Sequence, residues 1–170
     1  MATLYHFSEE PDIAVFIPRP PAARPEIEPL VWAIDDWHAP MYLFPRDCPR
    51  ILLWPLPATT PEDRERWWGD RDARMVANIE WAWFERLRTT RLYRYTMPPA
   101  AFEDLNDAGM WVSRSMVEPE AVTTVADLPA ALAEANVELR VMPSLLPLRG
   151  AWNTTLHASG IRLRNATGWE

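Results

Sequence analysis

The sequence contains no lysine, so all 17 of its basic side chains are arginines. Acidic residues number 24, and the formal net charge at pH 7 is −7. A general nucleic-acid-binding protein needs a basic face that displaces counterions from the phosphate backbone. The acidic balance therefore argues against nucleic acid as a partner, although it leaves room for a local basic pocket.

Cysteine and glycine are scarce, which excludes several kinds of site. Cys48 is the single cysteine, so no internal disulfide can form, as expected of a protein from a reducing compartment. The three histidines and Cys48 lack the spacing of zinc ligands, and we expect no metal site. The five glycines form neither a phosphate-binding loop nor a nucleophile elbow, which argues against ordinary kinases, dehydrogenases and hydrolases.

Long apolar runs are also missing. No stretch reaches the roughly 18 apolar residues of a membrane span. The first residues, Met1 to Leu4, lack the basic and apolar regions of a secretory signal. We expect a cytoplasmic protein without a membrane partner.

Tryptophan and proline are abundant instead. The chain of 170 residues fits one domain, residues 1–170, and 48% of it is hydrophobic, enough for a packed core. Ten tryptophans imply that some lie half-exposed, in a groove or at a subunit contact, so a homodimer is one expectation. Five of the 18 prolines fall between Pro18 and Pro29, which predicts an extended surface loop.

Short strands dominate the predicted secondary structure. They cover residues 3–7, 29–34, 51–54, 92–97, 110–113, 121–125, 137–141 and part of 156–166. Asp127 caps the clearest helix, and Asp35 or Asp36 can cap a short helix over residues 37–42. We expect a polar loop at residues 57–72, whereas residues 74–87 fit either a strand and then a helix or helix throughout. The pattern predicts an α+β fold with mixed or antiparallel sheets.

The first candidate binding residues are His6 and Ser8. Strand alternation directs Leu4, His6 and Ser8 to one side and Tyr5 and Phe7 to the other. An imidazole there can bind a ribose hydroxyl with Ser8 beside it, and the alternative is a core histidine with its hydrogen bonds satisfied.

Arginines and aromatic residues supply the other candidates. Arg46 and Arg50 can bind phosphate through their planar guanidinium groups, or can hold the loop by pairing with neighbouring aspartates. Trp32 and Tyr42 can stack on a nicotinamide or adenine ring, or belong to the core. Glu118, beside Pro119, can stabilise positive charge at a reacting centre, or simply be solvated in a loop.

Several segments together resemble known families. They are Leu4 to Ser8, Val31 to Ala33, His38 to Arg50, Val112-Ser113 with Glu118-Pro119, Val137 to Arg140, and Ile161 to Ala166. Over nearly the whole chain they resemble a family of small bacterial proteins of unknown function. More distantly, the N-terminal segments resemble the ADP-ribosyltransferase fold of DNA-targeting toxins, which have a tyrosine–histidine strand and an aromatic segment that ends on arginine.

The resemblance to the transferases implies an ADP-ribosyltransferase-like fold, NAD as substrate and a set of roles. His6 would contact the adenosine ribose, Tyr42 would form part of the dinucleotide pocket, and Arg46 would act on the phosphates or at the reacting centre. One departure concerns catalysis, because Met110 occupies the position of the toxins' catalytic glutamate, and Glu118 lies eight residues further on.

The resulting functional expectation has two main alternatives. In the first, the chain binds NAD or a related nucleotide through His6, Ser8, Trp32, Tyr42, Arg46 and Arg50, and transfers ADP-ribose if Arg46 and Glu118 support catalysis. In the second, it is a non-enzymatic interaction or scaffold protein with a tryptophan-rich partner surface. A hydrolase of a nucleotide derivative is a third option. Fold analogy by itself does not establish an activity.

Overall fold

A computed structural model describes all residues from Met1 to Glu170, and the fold is α+β, as predicted. The ten strands are β1 Leu4–Ser8, β2 Val31–Asp35, β3 Arg50–Trp54, β4 Met75–Glu80, β5 Leu92–Met97, β6 Glu103–Asp104, β7 Met110–Ser113, β8 Ala121–Val125, β9 Val137–Met142 and β10 His157–Ile161. The α-helices are α1 Pro61–Trp67, α2 Trp81–Thr89 and α3 Leu128–Glu134. Short 3₁₀ helices cover Ala39–Tyr42, Pro99–Ala101, Leu146–Asn153 and Leu163–Asn165.

The chain divides into two compact units, each built on one sheet. Unit 1 comprises Met1–Leu43 and Arg91–Ala126, and unit 2 comprises Phe44–Thr90 and Asp127–Glu170. The expectation of one domain over residues 1–170 stays a prediction. No helix has the length and apolar character needed to cross a membrane.

Unit 1 is a six-stranded antiparallel sheet with strand order β6-β7-β2-β1-β5-β8. Its core lies on one face, where buried side chains of β1, β2 and β5 pack against the N-terminal segment through Phe16. Phe16 also pairs with Val117, and Arg19 pairs with Leu30. These isolated bridges attach the proline-rich segment to the sheet, while most of residues 18–29 stay exposed, as predicted.

Unit 2 is a four-stranded mixed sheet with strand order β10-β3-β4-β9. The strands β3 and β4 are its buried centre, and β9 runs parallel to β4. Between β4 and β9 the chain passes through α2 and α3, and α3 packs on β9. Residues 74–87 are therefore a strand followed by a helix, the first of the two alternatives that the sequence allowed.

The prediction of a polar loop over residues 57–72 was wrong, because α1 lies within it. The Thr60 hydroxyl accepts a hydrogen bond from the Asp63 N–H at 3.2 Å, and Pro61 occupies the first helical turn. Glu62 and Asp63 place negative charge at the helix N-terminus, where it is favourable. The proline and charged residues of this segment are thus helix-start signals.

The short helix after β2 is smaller than predicted. It covers Ala39–Tyr42 and is a 3₁₀ helix with Pro40 in its first turn. The Asp35 carboxylate still accepts a hydrogen bond from the His38 N–H, at 2.8 Å, so the expected acidic residue stabilises the start of the turn.

Candidate functional site

His6 is held on β1 by the neighbouring strand. Its Nδ1 lies 2.8 Å from the Trp32 carbonyl oxygen, which can only accept, so Nδ1 carries the hydrogen and donates it. The half-buried imidazole also packs on Phe16, with ring centroids 4.6 Å apart. His6 is therefore a fixed side chain at the edge of the unit 1 core.

The predicted binding residues of unit 1 point to opposite faces of the sheet. His6 and Ser8 pair with Tyr95 and Tyr93, whose side chains belong to the core face. Trp32 precedes the core residue Ala33 in β2, so its side chain points to the face of the sheet opposite the core. The structure thus does not bring the His6 imidazole and the Trp32 ring to one side of the sheet.

The face opposite the core is aromatic, and we call it the aromatic face. Residues paired directly across antiparallel strands share a face, which fixes its members from the strand register. Its members include the side chains of Tyr5, Phe7, Trp32, Ile34, Arg94, Thr96, Met110 and Val112, of which Ile34 and Val112 are buried. The Tyr5 and Phe7 rings lie 6.3 Å apart, and both are half-buried.

Tyr42 joins the aromatic face through Met110. The Tyr42 hydroxyl donates to the Met110 sulfur, with the two atoms 3.4 Å apart, although the residues are 68 positions apart in the chain. The side chain predicted to form part of a dinucleotide pocket thus contacts Met110 of β7. Trp32 and Tyr42 are both placed on this side of the sheet.

Arg94 is a member of the aromatic face that the sequence analysis did not identify. Its guanidinium carbon lies 4.8 Å from the centre of the Tyr5 ring. The Nε–H group is buried and has no hydrogen-bond partner. The only sequence signal was an arginine within the alternating strand Leu92–Met97, which is a weak one.

Asp35 and His38 form a second arrangement that the sequence analysis did not foresee. One Asp35 carboxylate oxygen lies 2.7 Å from His38 Nδ1 and also accepts the His38 backbone N–H. Gly109 packs against this pair with φ +75°, and a Cβ atom there would lie 2.3 Å from His38 Nδ1. Because Gly109 has no side chain, the Asp35–His38 pair can lie against it without a steric clash.

The predicted phosphate-binding arginines both lie in unit 2, in different environments. Arg46 is exposed. Arg50 is only 2% exposed, its Nη1 donates to the Cys48 carbonyl at 2.9 Å, and its guanidinium carbon lies 5.1 Å from the Phe44 ring centre. Arg50 thus holds the loop before β3 through the Cys48 carbonyl, whereas the structural alternative considered from the sequence was an ion pair with a neighbouring aspartate.

Cys48 lies in the same loop and is fully buried. Burial raises the pKa of its thiol to about 12, and the nearby positive charge of Arg50 opposes this shift only in part. A thiol in this state is a poor nucleophile near neutral pH.

Glu118, the predicted catalytic carboxylate, is exposed in the connection between β7 and β8 of unit 1. It directly follows Val117, which is buried in the core of that unit. Arg46 and Glu118 belong to different units. Their catalytic roles stay predictions.

Glu80 is a buried carboxylate of unit 2 that the sequence analysis passed over. It ends β4 and is 2% exposed. It accepts hydrogen bonds from the backbone N–H groups of Leu145 and Thr167, at 3.3 and 3.1 Å, and from the Thr167 hydroxyl. These contacts attach the C-terminal segment to the end of β4, which indicates a structural role. No group of three or more histidine, cysteine, aspartate or glutamate side chains has the arrangement of a metal site.

Comparison with known protein families matches residues 5–166 to a family of unknown function, DUF6886. The expected likeness to a family of unknown function over nearly the whole chain is thereby confirmed. No curated protein and no solved structure matches the chain. The resemblance to ADP-ribosyltransferases stays a prediction.

Proposed function

The chain belongs to the DUF6886 family, whose function is unknown, and on that premise we propose that its unit 1 binds a nucleotide, NAD foremost. The observation that carries the proposal is the convergence of Trp32, Tyr42 and Arg94 on the aromatic face. Aromatic rings offer stacking surfaces to adenine and nicotinamide, and a guanidinium group complements phosphate. The three residues come from three separate segments of the chain.

His6 has an indirect role in this proposal. Its Nδ1–H group holds the Trp32 carbonyl from the core side of the sheet, which fixes the backbone that carries the Trp32 ring. His6 is then a positioning residue for the nucleotide site. Ser8, whose hydroxyl accepts the Glu10 N–H at 3.1 Å, helps to end β1.

Transfer of ADP-ribose is the enzymatic extension of the same proposal. The nicotinamide leaves with the electron pair of the glycosidic bond, and a carboxylate stabilises the positive charge that develops on the ribose. A nucleophilic group of the acceptor then forms the new bond at the anomeric carbon and loses its proton. Glu118 of unit 1 is the candidate for this carboxylate. Since Met110 stands at the glutamate position of the resembling toxins, we propose that nucleotide binding is the primary function and that transfer depends on Glu118.

Calorimetric titration with NAD tests the proposal. The wild type should release or absorb saturable heat, and Trp32→Leu should weaken binding about tenfold, because one base–aromatic stack contributes about 1–3 kcal/mol. Trp152→Leu, which removes an exposed tryptophan of unit 2, is the matched control and should bind like the wild type. Absence of heat with the wild type, or equal losses in both variants, would refute the proposal.

A tryptophan-rich interaction surface is the second candidate function, and one feature of unit 2 favours it. Trp152 is 43% exposed, its ring centre lies 6.0 Å from that of Trp169, and Arg149 stacks on Trp169 at 5.0 Å. A second copy of the chain is the partner expected from the tryptophan content. Light scattering of the purified protein tests this: a dimer that Trp152→Ser dissociates supports it, and a monomeric wild type refutes it.

A further inference from the structure

Arg94 stands among uncharged residues on the aromatic face. The residues directly opposite it are Phe7 on β1 and Thr123 on β8. Neither can form an ion pair with it, and its Nε–H group is buried without an acceptor. The Tyr5 ring covers one side of the guanidinium plane, since the guanidinium carbon lies 4.8 Å from the ring centre.

A buried guanidinium N–H without an acceptor is unfavourable, because the group has lost its hydration and gained no hydrogen bond. Stacking on Tyr5 satisfies the flat side of the guanidinium but not its N–H edge. Nearly all buried polar groups in native proteins have a partner, so an exception calls for an acceptor from outside the chain. An anion that meets the edge of the fork would supply it.

Arg114 of unit 1 differs from Arg94 in this respect. It forms ion pairs with Glu28 at 2.9 Å and Glu103 at 2.8 Å. Its charge is therefore neutralised within the chain. Arg94 keeps an uncompensated positive charge in a protein of net charge −7, which otherwise repels anions.

We propose that Arg94 binds a phosphate group of the nucleotide, so that unit 1 selects phosphorylated ligands over nucleosides. This inference rests on the proposed nucleotide site, because Arg94 and Trp32 share the aromatic face, with Phe7 paired to Arg94 on the intervening strand β1. A base stacked on the Trp32 side of this face and a phosphate at Arg94 would span β2, β1 and β5. The sequence pattern favoured Arg46 and Arg50 as phosphate ligands, whereas the Arg50 Nη1 donates to the Cys48 carbonyl.

The experiment compares ligands with and without phosphate. Calorimetry with AMP, NAD and adenosine is performed on the wild type, Arg94→Met, Arg94→Lys and the control Arg114→Met. We expect Arg94→Met to weaken AMP and NAD about 10- to 100-fold and to leave adenosine unchanged, because only the charge-assisted hydrogen bonds to phosphate are lost. Arg94→Lys should retain part of the affinity, and Arg114→Met all of it.

Two results would overturn the inference, and they have different meanings. If Arg94→Met binds AMP and NAD as the wild type does, or loses affinity for AMP and adenosine equally, Arg94 does not contact the phosphate. The proposed nucleotide-binding function is unaffected by that result. No binding of any of the three ligands to the wild type would refute the proposed function and this inference with it. The salt dependence of AMP binding is an independent readout, since loss of a phosphate contact should make the affinity of Arg94→Met less sensitive to salt.

Discussion

At the scale of single residues, buried polar groups decide which side chains belong to the framework and which are available to a ligand. Glu80 and Arg50 are each 2% exposed, and both are occupied by backbone partners in unit 2. Arg94 differs from them, because its buried Nε–H group has no hydrogen-bond acceptor within the chain. The sequence shows all three as charged residues in or beside apolar strands. Only the strand pairing and the contacts distinguish them.

Gly109 gives a residue-scale prediction about the Asp35–His38 pair. Gly109→Ala should destabilise the fold by about 2 kcal/mol or more, because the added Cβ would collide with His38 Nδ1 and the backbone has positive φ. Gly69→Ala is the matched control, since Gly69 has φ +65° but its nearest atom is 3.7 Å away, and it should cost about 1 kcal/mol. Urea denaturation measures both. Equal losses would contradict the close approach at Gly109.

Cys48 gives a prediction of pH dependence. Its pKa is raised from 9.0 to about 12 by burial, so the unfolded chain ionises the thiol at a lower pH than the folded protein does. Unfolding therefore releases a proton above pH 9, and this contribution to stability is complete below pH 9 and declines as the pH rises toward 12. The slope approaches about 1.4 kcal/mol per pH unit.

The check is urea denaturation of the wild type and Cys48→Ala between pH 7 and 10.5. The variant should be less stable at pH 7, because it leaves a small cavity, and the difference should shrink as the pH rises above 9. Parallel pH profiles would show that the Cys48 thiol is not protected in the folded state.

At the scale of elements, the sequence predicts most strands and α3, because their signals are local, but β6 was not predicted and β4 was left open. Apolar alternation marks β5, and Asp127 and Asn136 bracket α3, whose end is marked by the positive φ of Asn136. The helix α1 was missed because its proline and charged residues also fit a loop. The site was predicted only in part, because the face of the sheet to which a side chain points depends on pairing between strand residues 29 to 93 positions apart. No local pattern specifies that pairing.

The N-terminus of α3 offers an element-scale prediction. The Asp127 carboxylate accepts the Ala130 N–H at 3.0 Å, which satisfies one of the free backbone donors of the helix. Asp127→Ala should lower the free energy of unfolding by about 1 kcal/mol. Asp127→Asn should keep most of this stabilisation, because asparagine is also a good N-cap. Thermal and urea denaturation measure the effect. A variant with alanine as stable as the wild type would exclude the cap as a source of stability.

At the scale of the whole molecule, the acidic charge and the two-unit organisation limit what the protein can bind. A net charge of −7 disfavours extended polyanions, so an anionic ligand must be small and must meet a local cation. Unit 1 offers that cation beside an aromatic surface, whereas the opposite face of its sheet is filled by the core. The proposed nucleotide site therefore lies on one face of one sheet.

Trp32 and Trp111 provide the most direct test, because they lie on neighbouring strands and opposite faces of the unit 1 sheet. Their indole N–H signals can be followed in a ¹⁵N correlation spectrum, with assignments from Trp32→Phe and Trp111→Phe. Addition of NAD should shift the Trp32 signal in a saturable manner and leave the Trp111 signal in place. A spectrum in which neither signal moves, or in which Trp111 shifts and Trp32 does not, would contradict the nucleotide site on the aromatic face.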